Sequence, residues 1–143
     1  YGMMPLFYSF EPGRDREINE KAAAMVSVPA KVLPQIDDGG VLCGVIARME
    51  LVVSMRLHAL IFACGQKTRT VAISYDPKVS GFMDYMGSEN CVELSDVTEP
   101  GLLEKLDRAM AEDPGTEQLS RLKALAAENG RLAGKLLRGE AIE

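Results

Sequence analysis

The chain has 143 residues, 47% of them hydrophobic, and 16 basic against 21 acidic side chains give a net charge of −5. That is enough apolar material for one packed domain, and the acidic balance speaks against nucleic acid or an anionic membrane surface as the main partner. No apolar run approaches about 20 residues and no charged-then-apolar stretch reads as an export signal, so neither a transmembrane segment nor a leader is expected.

The opening Tyr1-Gly2-Met3-Met4-Pro5 runs almost directly into a strand, as in a piece taken from a longer protein. Leu6–Phe10 has aromatic strand character and ends at the turn signal Glu11-Pro12-Gly13. Asp15 is a candidate cap for a helix over Arg16–Val26, with Ile18, Ala22 and Met25 on one face. Ala30–Leu33 reads as a second short strand closed by Pro34. Asp37 or Asp38 then caps a helix in which Val41, Leu42, Val45, Ile46 and Met49 recur at helical spacing. Gly39 and Gly40 weaken its first turn, and no G-x-G-x-x-G follows the first strand, so they make no dinucleotide fingerprint.

Leu51-Val52-Val53, continued by Ser54-Met55, reads as a buried parallel strand that passes through Arg56-Leu57-His58 into the apolar helix Ala59–Cys64, with Gly65 at its expected stop. Thr70–Ser74 repeats the pattern and breaks at Tyr75-Asp76-Pro77-Lys78. Asp76 before Pro77 fits an N-cap followed by proline in the first turn of a helix over Val79–Met86. Cys91–Leu94 is a last strand, and Thr98 or Asp96 starts a helix that ends at Pro114-Gly115. From Thr116 a long helix carries a leucine stripe, Leu119 through Leu137, interrupted at Asn129-Gly130. Five strands alternating with about six helices give an α/β class: a parallel sheet sandwiched by helices, with right-handed crossovers.

Cys43, Cys64 and Cys91 are odd in number and irregularly spaced, which is neither a disulfide framework nor a metal-ligand pattern and suits a reducing cytosol. Cys43, Cys64 and the eight methionines read as core filler.

In sheets of this class ligands bind outside the carboxyl ends of the strands, where helix N-termini aim their N–H groups at anions. Ser54, Arg56, His58, Ser74, Tyr75 and Lys78 fall on that rim, and Glu11 ends the first strand, where a plain turn role is favoured. Arg56 offers a planar fork that binds phosphate or carboxylate bidentately, and His58, the only histidine, can donate to the same anion or hand over a proton. An ordinary ion pair for Arg56 and a hydrogen-bonded core position for His58 are the structural alternatives. Lys78 reads equally well as a solvated surface lysine.

At SMRLHALIFACG (54–65) and AISYDPKVSGF (72–82) the chain resembles the polysaccharide pyruvyl transferase family, especially its bacterial cell-wall and exopolysaccharide members. There an S-x-R-x-H turn opens an apolar helix and, one strand later, I-S-Y-D-P-K-V follows; Ser54, Arg56, Leu57, His58 and Ile73–Val79 match in order. The preceding Arg48–Val53 and the late Val92-Glu93-Leu94 strand are similar too, whereas Gln66-Lys67-Thr68-Arg69-Thr70 stands where relatives commonly carry a small residue and proline. The resemblance implies a GT-B-like enzyme of two Rossmann-like halves with its site in the cleft between them. It makes residues 1–143 one Rossmann-like domain, the C-terminal donor-binding half, with 116–138 as a C-terminal helix.

It further implies transfer of a pyruvyl group from phosphoenolpyruvate, as a ketal, to two hydroxyls of a glycan acceptor, lipid-linked and met in the cytoplasm at the inner face of the membrane. No cofactor or metal is implied beyond the phosphoenolpyruvate donor. The partners are that donor, the glycan and the N-terminal half of the same enzyme. Arg56, Leu57 and His58 take the donor, Arg56 and His58 as catalytic groups; Ser54, Ser74, Tyr75 and Lys78 join them as substrate-binding residues. The isolated domain is expected to be inactive. The alternatives are the nucleotide-sugar half of a GT-B glycosyltransferase, and a non-catalytic interaction module pairing through the Leu119–Leu137 helix.

Overall fold

A computed structural model describes residues 1–141. The chain forms two compact units, residues 1–45 and the remainder from residue 46.

In the first unit β1 (Leu6–Phe7) and β2 (Lys31–Val32) pair in parallel, Leu6 opposite Lys31 and Phe7 opposite Val32, and α1 (Pro12–Met25) packs on both. The helix begins earlier than the expected Arg16, because Pro12 occupies its first position, where a missing N–H is harmless. Asp15 serves from inside the helix: its carboxylate accepts the backbone N–H of Glu11 at 3.0 Å. Asn19 donates to the Ser9 hydroxyl at 3.0 Å and ties α1 to the loop after β1. Asp38 is the cap of α2 (Gly39–Ile46), its carboxylate accepting from Val41 N at 2.8 Å.

The second unit is a three-stranded parallel sheet in the order β3 (Leu51–Ser54), β4 (Arg69–Ser74), β5 (Cys91–Glu93). The central strand is covered on both faces, which explains its near-continuous apolar run. Ala72 packs with Leu60 from α3 (Leu57–Gly65) and with Val79 and Met83 from α4 (Pro77–Tyr85), all four fully buried. Val71, its neighbour and equally buried, points to the opposite face; α5 (Glu99–Ala111), which also packs on β4 and β5, supplies the buried Ala109. These parallel strands in helix-flanked sheets make the fold α/β and Rossmann-like, as the alternation in the sequence implies.

The two strand–helix repeats of this unit end alike. At the end of α4, Gly87 N–H reaches Asp84 O and Ser88 N–H reaches Met83 O, both at 2.9 Å, with Gly87 left-handed at φ 67°. This is the paired-bond stop that favours glycine. At the end of α3 the same bonds run from Lys67 N to Cys64 O (3.0 Å) and from Thr68 N to Ala63 O (2.9 Å), and the left-handed residue is Lys67, φ 60°. The stop therefore lies two residues beyond Gly65, which is itself helical. Lys67→Gly is accordingly expected to stabilise the fold by about 1 kcal/mol, read as a rise in the urea midpoint with an unchanged denaturant slope. Thr68, the next residue, is buried and donates its hydroxyl to Ile46 O at 3.0 Å, so the polar 66–70 loop is a packed joint of this unit.

A 3-10 turn (Leu94–Asp96) leads to α5, where Thr98, one of the two expected starts, accepts from Gly101 N at 3.2 Å as the cap, and Asp96 belongs to the turn before it. The last helix, α6 (Thr116–Leu137), runs without a break through Asn129-Gly130. One interior glycine costs a helix only about 1 kcal/mol, and Glu128 and Arg131 clasp each other across that turn at 2.5 and 2.7 Å.

Candidate functional site

The carboxyl ends of β3 and β4 turn into their helices by the same local device. The Ser54 hydroxyl accepts the N–H of Arg56 at 2.9 Å and lies 3.4 Å from its carbonyl, and the Ser74 hydroxyl donates to Asp76 O at 3.3 Å. Each serine stands two residues before a helix N-cap, Arg56 or Asp76, and folds back on it. Ser74 is 1% exposed. Both hydroxyls thus hold the rim in shape.

Arg56 caps α3 with its backbone alone. Its carbonyl accepts Ala59 N at 3.0 Å and Leu60 N at 3.3 Å, and its side chain makes no capping bond. Leu57 and His58 precede these first intrahelical bonds, so their N–H groups face forward out of the helix, at the positive end of its dipole. The Arg56 side chain is half-buried and His58 is exposed. A core position for His58, the structural alternative raised by its apolar surroundings in sequence, does not hold. An arginine at a helix N-cap sits where the dipole disfavours a cation; Arg56 and the exposed His58 thus flank two forward amides at the helix end where the dipole favours an anion.

At the neighbouring turn Asp76 caps α4 as expected. Its carboxylate accepts Lys78 N at 3.0 Å and lies 3.5 Å from Lys78 Nζ, which sits 5.9 Å from the Tyr75 ring centroid. Lys78 is therefore engaged by Asp76 and Tyr75. The Lys78 backbone bond, aided by the lysine charge, holds the Asp76 carboxyl below the usual aspartate range. Since the folded state favours the ionised form, the stabilisation from this cap is in place above the ordinary aspartate pKa of about 3.9 and is lost as acid protonates the carboxyl. The Lys78 amide resonance should move as pH falls below that value, and the movement should vanish in Asp76→Asn.

Tyr75 is 46% exposed. With Ser74, Glu93, Leu94 and Ser95 it lines an open crevice of about 390 Å³ at the ends of β4 and β5. Sequence reasoning misses Glu93, Leu94 and Ser95 as site residues; their signal is their position at and just past the end of the last strand, level with Ser74 through the Ser74–Glu93 pairing. Glu11, in the first unit, caps α1 and ion-pairs with Arg14 at 3.2 Å, in keeping with a turn role.

The opposite end of the sheet holds a smaller cavity of about 100 Å³. Cys64, Arg69, Asn90 and Glu112 line it, and Asn90 donates to Glu112 at 2.9 Å. Burial pushes the Cys64 thiol pKa up and so favours the protonated thiol, against the hydrogen bond with Thr70. Among the described residues no cluster of His, Cys, Asp and Glu is placed to hold a metal, and no helix is long and apolar enough to cross a membrane.

Residues 41–77 match the family model for polysaccharide pyruvyl transferase, a transferase family. The matched segment runs from α2 to the first residue of α4 and contains both serine turns, so the resemblance carried by SMRLHALIFACG and the start of AISYDPKVSGF holds there. No curated protein matches the chain.

Proposed function

We propose that this chain is the donor-binding, C-terminal half of a polysaccharide pyruvyl transferase, taking phosphoenolpyruvate at the start of α3 and passing its pyruvyl group, as a ketal, to two hydroxyls of a glycan. The observation that carries the reading is the Arg56–His58 turn: it lies inside the segment with the family's signature, and it presents a cation, an exposed imidazole and two forward amides where a helix dipole already attracts an anion.

Phosphoenolpyruvate is small and carries both a phosphate and a carboxylate. In this reading Arg56 clamps one of these by its fork, Leu57 and His58 N–H groups receive the phosphate, and the His58 imidazole donates a proton to that phosphate as it departs. The proton for the donor methylene and the base for the acceptor hydroxyl come from elsewhere, including the other half of the cleft. The isolated chain binds donor and does not turn over; the glycan acceptor is met on the cytoplasmic side, lipid-linked at the membrane.

The test is an NMR titration of the chain with phosphoenolpyruvate, uridine diphosphate and inorganic phosphate. Phosphoenolpyruvate should shift the Leu57 and His58 amides and bind more tightly than the other two. Preference for the nucleotide would replace this reading with the sugar-nucleotide half of a glycosyltransferase.

A further inference from the structure

A donor held at the start of α3 leaves the crevice beyond β4 and β5 unexplained. It is an open, shallow depression of about 390 Å³, suited to one face of a small molecule and not to enclosing it. Its walls combine unlike groups: the half-exposed Tyr75 ring, the half-exposed aliphatic side chain of Leu94, the exposed Glu93 carboxylate and the exposed Ser95 hydroxyl.

Charge decides what such a site accepts. A phosphate or carboxylate entering here meets the Glu93 carboxylate in the lining, and the adjacent cation, Lys78, is already held by Asp76 and by one side of the Tyr75 ring. The site suits a molecule that is neutral, rich in hydroxyl donors for a carboxylate, and apolar on one face for an aromatic ring. A pyranose ring has these features: its hydroxyls donate charge-assisted hydrogen bonds to a carboxylate, and its C–H face lies flat on an aromatic side chain.

We propose that this crevice is a glycosyl subsite taking one neutral sugar ring, with Tyr75 as its platform and Glu93 and Ser95 as its hydroxyl partners. Resting on the function proposed above, that sugar belongs to the acceptor glycan. The Tyr75 ring then serves the acceptor and not the donor, while Ser74 keeps the turn in shape beneath it.

The experiment is a nitrogen-15-resolved NMR titration of the whole chain with neutral methyl hexosides, N-acetylglucosamine, glucosamine and inorganic phosphate. Neutral sugars should shift the amides of Tyr75, Glu93, Leu94 and Ser95, and phosphate should leave them in place. Tyr75→Ala should raise Kd roughly ten-fold and Tyr75→Phe should restore it. Glu93→Gln should weaken neutral sugars and glucosamine together.

Absence of shifts at these amides with every neutral sugar overturns the proposal. So does tighter binding of cationic glucosamine than of N-acetylglucosamine that Glu93→Gln abolishes, which would make the crevice a cation site. Phosphoenolpyruvate shifts at Leu57 and His58, read in the same samples, report on the donor site alone, so either site can fail without the other.

Discussion

Arg56→Ala should raise the Kd for phosphoenolpyruvate roughly 30- to 150-fold, the equivalent of the about 2–3 kcal/mol that a charged hydrogen-bonding group contributes. It should cost the stability of the fold far less. The two effects separate because of how the residue is built in. Its carbonyl caps α3 and its N–H is taken by Ser54, and both are backbone groups that alanine keeps. The side chain makes no capping bond and stands at the end of the helix where the dipole disfavours a positive charge, so the cap itself does not depend on it. Donor binding gains from the same unfavourable placement, since the anion settles both charges at once. Arg56→Lys should fall between wild type and alanine, keeping the charge and losing the fork. His58→Ala should bind donor more nearly as wild type does, while turnover of the complete enzyme drops. Calorimetric titration of the chain measures the three donor affinities, and an unchanged Kd in Arg56→Ala would remove the donor site from this turn.

Much of this turn could be read from the chain, because its determinants are local. Asp38, Asp76 and Thr98 are polar residues placed just before apolar periodicity, and each accepts the backbone N–H a cap should. The rim followed from strands that end where helices begin. What escaped depended on alternatives of nearly equal local energy. Gly65 looked like the end of α3 because glycine favours a left-handed stop, yet the hydrogen bonds carry the helix on and place the left-handed turn at Lys67. Asn129-Gly130 looked like a break and is bridged by a neighbouring ion pair. The serines at the strand ends also have a structural role that the residue types alone do not announce. Their spacing, two residues before each N-cap, was the visible sign that they bond their own turns. The crevice of Tyr75 and Glu93 needed strand register, and register between β4 and β5 is a tertiary fact absent from either strand alone.

Leu60→Ala should be the most damaging single change outside the rim, costing about 3 kcal/mol of stability and lowering Tm by about 10 °C. Leu60 is fully buried in α3, and it packs on Ala72 of the central strand and on Val79 and Met83 of α4. The fully buried neighbours are poorly suited to fill the space it leaves. Ala72 is short and fixed in the sheet, Val79 is stiff at its branch, and Met83 is already committed to the same cluster. Leu60→Met, of similar volume, should cost less than about 1.5 kcal/mol. Leu60 also lies one turn behind the Arg56–His58 end of its helix, its own N–H bonded to Arg56 O. If this core clamps the turn in place, Leu60→Ala should loosen donor binding even at temperatures where the domain is fully folded. If the turn is held by Ser54 and the backbone alone, donor affinity of the folded variant should equal that of wild type. Measuring both quantities on one protein therefore separates a helix end positioned by the core from one positioned by its own hydrogen bonds.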